Sequence, residues 1–194
     1  MCIAVNSSAQ ASVNAGYLYQ SLKEKEKSTS YSLNLPFHGF YVGVDYGIKI
    51  GKVFSIVPGL YYEFGQCTKL FNLIGDYGNK WNEHYLKIPV DFKFGFGIGR
   101  KSRFFFAFGP KLHIGLASKI SNGVESVDMY KAYKELSEGA SYSRADVLVG
   151  LNTGVDIGHV RIKVGYDYGL VDRGRKDSVK SHNNLVQVGL AYIF

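Results

Sequence analysis

Apolar and polar residues alternate along most of this chain. From Ser12 onward, eight segments of about ten residues carry a period of two, which predicts strands rather than helices. In the first, 12–21, Val13, Ala15, Tyr17 and Tyr19 share one face and Asn14, Gly16, Leu18 and Gln20 the other. The second, 39–50, sets Phe40, Val42, Val44, Tyr46, Ile48 and Ile50 against Tyr41, Asp45 and Lys49. The same rhythm recurs over 54–65, 85–98, 104–116, 146–157, 160–169 and 185–194.

The connections alternate as regularly as the faces. Turns of a few residues follow the second, fourth and sixth segments, at Gly51 and Lys52, around Arg100, Lys101 and Arg103, and at Gly158 and His159. The other connections run for about fifteen to twenty-five residues. Short ends therefore share one rim and long ends the other. This predicts an all-β fold, an eight-stranded antiparallel up-and-down transmembrane β-barrel with short periplasmic turns and long extracellular loops.

Alternation alone does not say which face points inward, because a soluble carrier of a hydrophobic ligand also alternates, with its apolar set inside. The second face decides. Between its glycines it carries the acids Asp45, Glu63, Asp91, Asp146, Asp156 and Asp167 and the bases Lys49, Lys87, Lys93, Lys111, Arg161 and Lys163, six of each. A face open to water needs neither small residues nor balanced charge. An eight-stranded lumen, just wide enough for side chains, needs both, because buried charges must be paired. The other face carries Phe, Ile, Val, Leu and Tyr without charge, as hydrocarbon requires. Tyr17, Tyr19, Tyr46, Tyr62, Tyr166, Tyr168 and Tyr192 fall toward strand ends, where they suit an interfacial girdle.

Composition adds limits. Aromatics make up 15% of the 194 residues, with 23 Gly and 4 Pro, a mixture that favours strands and tight turns. No apolar run of about 18 residues exists to form a membrane helix, and the mean hydropathy of −0.06 is that of a chain whose membrane signal, if any, is dispersed among alternating strands. Net charge is +7, but the bases are scattered rather than gathered in a stripe, which argues against nucleic acid. Cys2 and Cys67 offer no metal-ligand spacing. Residues 1–11 read as a signal-peptide remnant or disordered N-terminus, with Ala9, Gln10 and Ala11 matching an A-x-A cleavage site, and 12–194 as the barrel domain.

The stretch at 85–94, YLKIPVDFKF, together with Gly-rich hairpins and the terminal LVQVGLAYIF, resembles the PorT-like outer-membrane β-barrel domains over nearly the whole chain from Ser12. The resemblance implies an eight-stranded barrel in the bacterial outer membrane and no particular activity. The ending is also similar to the assembly signal read by the barrel-insertion machinery, with polar Gln187, then Gly189, aromatic Tyr192 and terminal Phe194.

Candidate chemistry is sparse. His113 shares the inward face with Lys111 and could act as a general base, yet no Ser or Cys nucleophile accompanies it, and a hydrogen-bonded structural histidine is the better reading. The inward carboxylates are equalled by Lys and Arg, so ion pairing is favoured over an acid/base pair. GFGIG at 95–99 lacks dinucleotide-binding spacing. In the longest loop, Val124, Val127, Tyr130, Tyr133 and Leu136 recur at three-residue intervals before Gly139, which predicts a short helix. Arg173, Arg175, Lys176 and Lys180 in the last loop suit phosphate-bearing headgroups or solvent. The expectation is a non-enzymatic outer-membrane barrel, a monomer without cofactor, metal or catalytic site. Its lumen is plugged by the twelve paired charges. Its partners are outer-membrane lipid, the barrel-assembly machinery and a surface ligand or protein met through the loops. The alternatives are the soluble carrier and a membrane-embedded lipid-modifying enzyme.

Overall fold

In a computed structural model, residues 9–26, 32–67, 80–121, 126–131, 144–171 and 179–194 are described. Eight long strands make the wall: β1 (Ala9–Glu26), β2 (Ser32–Ile50), β3 (Phe54–Cys67), β4 (Lys80–Gly97), β5 (Ser102–Ser121), β7 (Ala145–Ile157), β8 (Val160–Gly169) and β9 (Val179–Ile193). The three-residue β6 (Ser126–Asp128) pairs only with the end of β5. Each long strand is antiparallel to its neighbours, and β1 pairs with β9 while β4 pairs with β5, so the sheet closes on itself and leaves no edge. Closure satisfies the backbone groups that hydrocarbon would otherwise strand.

The alternation read from the sequence is the alternation of the wall. Val44 is 52% exposed and Leu190 57%, both on the outside, whereas Glu63, His113 and Asp167 are 0% exposed in the interior. A soluble carrier would have the reverse arrangement, and that alternative is overturned. On the outer wall Tyr17 and Tyr62 hydrogen-bond His38 and His84, the second pair at 2.5 Å. Phe54, Phe92, Phe94 and Phe108 stack lower down.

Three differences from the sequence reading have physical causes. First, the strands are longer than expected at the extracellular end. The β1–β2 ladder continues to Lys25↔Ser32, leaving 27–31 between the strands where a loop of about fifteen residues or more was expected. Charged residues read as loop, but backbone pairing continues wherever the opposite strand offers its carbonyls. Ala9–Ala11 likewise pair with Tyr46–Ile48, so β1 starts three residues before Ser12. Second, Ser126–Asp128 is strand, not helix, because it pairs with the end of β5 that β7 leaves uncovered; among the described residues a helical turn covers 129–131. The rest of that expected helix, including Val124, Tyr133, Leu136 and Gly139, lies outside the described residues, as do Arg173, Arg175, Lys176 and 1–8. Third, the β4–β5 register shifts at His84/Tyr85, where Leu116 has no partner across the ladder. This bulge re-aims β5 so that Ser118 turns inward beside Trp81.

The short-turn rim is tied by backbone hydrogen bonds from strand to strand. Gly95 N donates to Val53 O at 2.8 Å, Gly158 N to Lys101 O at 2.9 Å, Ile193 N to His159 O at 2.7 Å and Phe194 N to Ala11 O at 3.0 Å. Gly51 and Gly158 turn the chain with φ of 82° and 59°, a conformation that other residues adopt only under strain.

Candidate functional site

The interior is a stack of side-chain layers, and the inward charges form two of them. Near mid-height, Lys87 from β4 bridges Glu63 of β3 and Asp167 of β8, the latter at 3.3 Å, and Lys111 of β5 pairs with the other oxygen of Asp167. His113 Nε2 lies 3.0 Å from Glu63, and its ring stacks on Tyr85 at 4.1 Å. Gln187 donates to Glu63 at 3.2 Å and to Asp167 at 3.0 Å. Every member of this layer is buried. In hydrocarbon-thick surroundings such charges persist only when each meets its opposite.

Below it lies a looser layer. Arg161 holds Asp156 through Nε at 2.7 Å and reaches Asp45 at 3.6 Å, while Lys93 adds a second contact to Asp156 at 2.7 Å. Asp45 also accepts from Ser12, from Asn14 at 3.0 Å and from Tyr61 at 2.7 Å. Between the layers Lys163 donates to the Tyr61 hydroxyl at 3.3 Å and lies over the Tyr41 and Tyr61 rings at 5.3 and 4.8 Å. Asp91 accepts from Asn152 at 3.0 Å. Of the twelve inward charges named from the sequence, eight thus meet an opposite charge within 4 Å among the described residues. Lys163 and Asp91 meet neutral partners, Lys49 lines the lower mouth, and Asp146 is buried on β7.

Sequence reasoning missed the upper interior. Glu83 is buried and accepts from Tyr85, from Gln20 at 3.2 Å and from Ser118 at 3.4 Å. Trp81 donates to Ser118 at 2.8 Å and packs against Phe37 with Leu35 and Cys67. Leu18, Leu148 and Leu185 form a second apolar cluster. The inward alternation over 81–85 continues that of 85–97 and carried the only available signal for Glu83 and Trp81.

The four residues of the terminal pattern divide between the two faces. Gln187 belongs to the mid-height layer, and Gly189 lies opposite Gly16 where the Tyr41 ring crosses both. Tyr192 and Phe194 point outward, their rings 5.1 Å apart. His113, considered above as a general base, is fully buried, held by Glu63 and stacked on Tyr85.

A closed wall with an apolar exterior and a charge-filled interior defines an integral β-barrel membrane protein of the bacterial outer membrane. The family described as outer membrane protein beta-barrel domain matches residues 5–173, and the chain belongs to it. No curated protein matches the sequence. Similar solved structures include the attachment invasion locus protein Ail of Yersinia pestis with the heparin analogue sucrose octasulfate, at 14% identity over 96% of this chain and 99% of that one, TM-score 0.49. Neisserial surface protein A is 13% identical over 95% and 97%, TM-score 0.49. OprG from Pseudomonas aeruginosa is 10% identical over 100% and 99%, TM-score 0.46.

Proposed function

We propose that this outer-membrane barrel is non-enzymatic, that its lumen is a plug rather than a pore, and that it acts as a structural or surface-binding protein through its long extracellular loops. The observation that supports this reading is the buried mid-height layer: Glu63, Lys87, Lys111, His113 and Asp167 come from four strands, are all buried, and are joined by ion pairs across the lumen. A permeant ion would have to displace paired charges from one another, at a penalty of several kcal/mol per ion.

Within the family, the YLKIPVDFKF strand and the terminal LVQVGLAYIF favour the PorT-like branch. The chain acts as a monomer without cofactor, nucleic acid plays no part, and the terminal Gln187, Gly189, Tyr192 and Phe194 serve its delivery to the assembly machinery. Planar-bilayer recording on the refolded protein tests the plug directly. The expected trace shows no steady conductance, and a stable ion-sized channel overturns the reading. Turnover on a panel of lipid A and peptide substrates that disappears in His113→Ala would overturn the non-enzymatic assignment.

A further inference from the structure

The short-turn mouth of the barrel holds a cavity of about 130 Å³. Space of roughly 10–15 Å³ already holds a water, so this is room for a small polyatomic ion with part of its hydration shell. Its wall is unequal in charge. Lys49, Lys93, Lys101, Arg103 and Arg161 face it with only Asp45 and Asp156, an excess of three positive charges from five bases and two acids. Both acids are already committed to Arg161, and Asp156 also to Lys93. Among the described residues, Lys49, Lys101 and Arg103 have no carboxylate within 4 Å.

The excess continues around the rim, where Lys52 and Arg100 occupy the turns and no acid does. Arg103 is also held in place. Its Nη2 donates to the Lys52 carbonyl at 2.9 Å, spanning from β5 to the β2–β3 turn, and the surrounding turns are joined by the backbone bonds of the rim. Preorganised donors around a polar cavity lower the ordering cost of binding.

We infer that this periplasm-facing mouth is a binding site for a phosphate-class oxyanion, presented either as a free phosphate or as the headgroup of an inner-leaflet phospholipid. Guanidinium and ammonium groups recognise that chemistry through charge-assisted hydrogen bonds, and Arg103 supplies the planar fork.

The test is titration of the refolded barrel with inorganic phosphate, in zwitterionic detergent and in phosphatidylcholine nanodiscs, read by calorimetry and by amide shifts of Gly95 and Lys101. Saturable binding that weakens with added salt is expected. It should weaken roughly tenfold or more in Arg103→Gln and again in Lys49→Gln, both at a water-exposed mouth where folding is not at stake. A second arm replaces phosphatidylcholine with phosphatidylglycerol. Loss of phosphate binding there assigns the site to lipid headgroups, and unchanged binding assigns it to soluble phosphate. No saturable binding in either arm, or equal binding by Arg103→Gln, Lys49→Gln and the parent protein, overturns the inference. Heat-dependent gel mobility of each variant verifies that the barrel has formed.

Discussion

Toward the extracellular side, Phe37, Trp81, Leu35 and Cys67 fill the barrel interior side chain against side chain, whereas toward the periplasm Lys49, Lys93 and Arg103 surround open space. The same closed sheet surrounds both regions, so the backbone does not account for the difference. What changes is the inward residue at each level. On β4 the inward series from top to bottom is Trp81, Glu83, Tyr85, Lys87, Pro89, Asp91, Lys93 and Gly95. Large rings pack against one another at the top, whereas at the bottom Gly95 faces the Arg103 guanidinium and both border the cavity. Among the described residues the upper interior is packed with apolar side chains and the lower interior borders a cavity.

The largest expected effect is at the top. Trp81→Ala removes the ring packed on Phe37 and the donor to Ser118. The packed surroundings cannot collapse into the space, so about 4 kcal/mol of stability should be lost. Urea unfolding in lipid vesicles measures it. A loss under about 1 kcal/mol would mean that the upper interior is no better packed than the lower. The single Trp also reports on itself: its emission should be blue-shifted and poorly quenched by acrylamide in the parent protein, because it is 8% exposed.

Next comes Lys87→Met, which leaves Glu63 and Asp167 buried without their shared cation. His113, Lys111 and Gln187 remain to them, and a loss of about 3 kcal/mol is expected in the same unfolding assay. A neutral outcome would show that the layer is wet.

Gly189→Ala should follow at about 2 kcal/mol. An added Cβ would stand 2.6 Å from the Ala15 carbonyl oxygen and against the Tyr41 hydroxyl. Gly97→Ala, at the lower mouth, meets nothing within 4 Å and serves as its control. Equal losses at the two glycines would erase the contrast between the packed interior and the open lower mouth.

How far the sequence discloses these regions depends on what each feature rests upon. Side-chain direction in a strand is a local property of period two, so Val44 and Asp45 are assigned to opposite faces from their positions alone. Cross-lumen partners are not local. Lys87 meets Asp167 across 80 residues, at a height set by strand tilt and stagger, which no local pattern encodes. Glu83 and Trp81 were hidden because the polar neighbours Lys80, Asn82 and His84 made the strand look finished at Tyr85, and because the bulge that turns Ser118 inward exists only once β4 and β5 are paired. The 124–139 periodicity misled over Ser126–Asp128 for a similar reason: three residues beside the end of β5 that β7 leaves uncovered take its ladder in preference to a helix.

The smallest effect is also the sharpest comparison, since it uses the same residue type on the same strand. Lys93→Gln lies six positions below Lys87 and removes one contact from Asp156. Asp156 keeps its two hydrogen bonds from Arg161, at 2.7 and 3.3 Å, and both Lys93 and Asp156 border the cavity, where water can take the vacated position. Hydrated ion pairs contribute little, so a change of about 1 kcal/mol or less is expected. Measured beside Lys87→Met under identical lipid and urea conditions, the difference between the two lysines reports how dry each level of the lumen is. If Lys93→Gln destabilises the barrel as much as Lys87→Met, the lower lumen is sealed as tightly as the layer above it. The basic mouth would then lack the solvent access that anion binding requires.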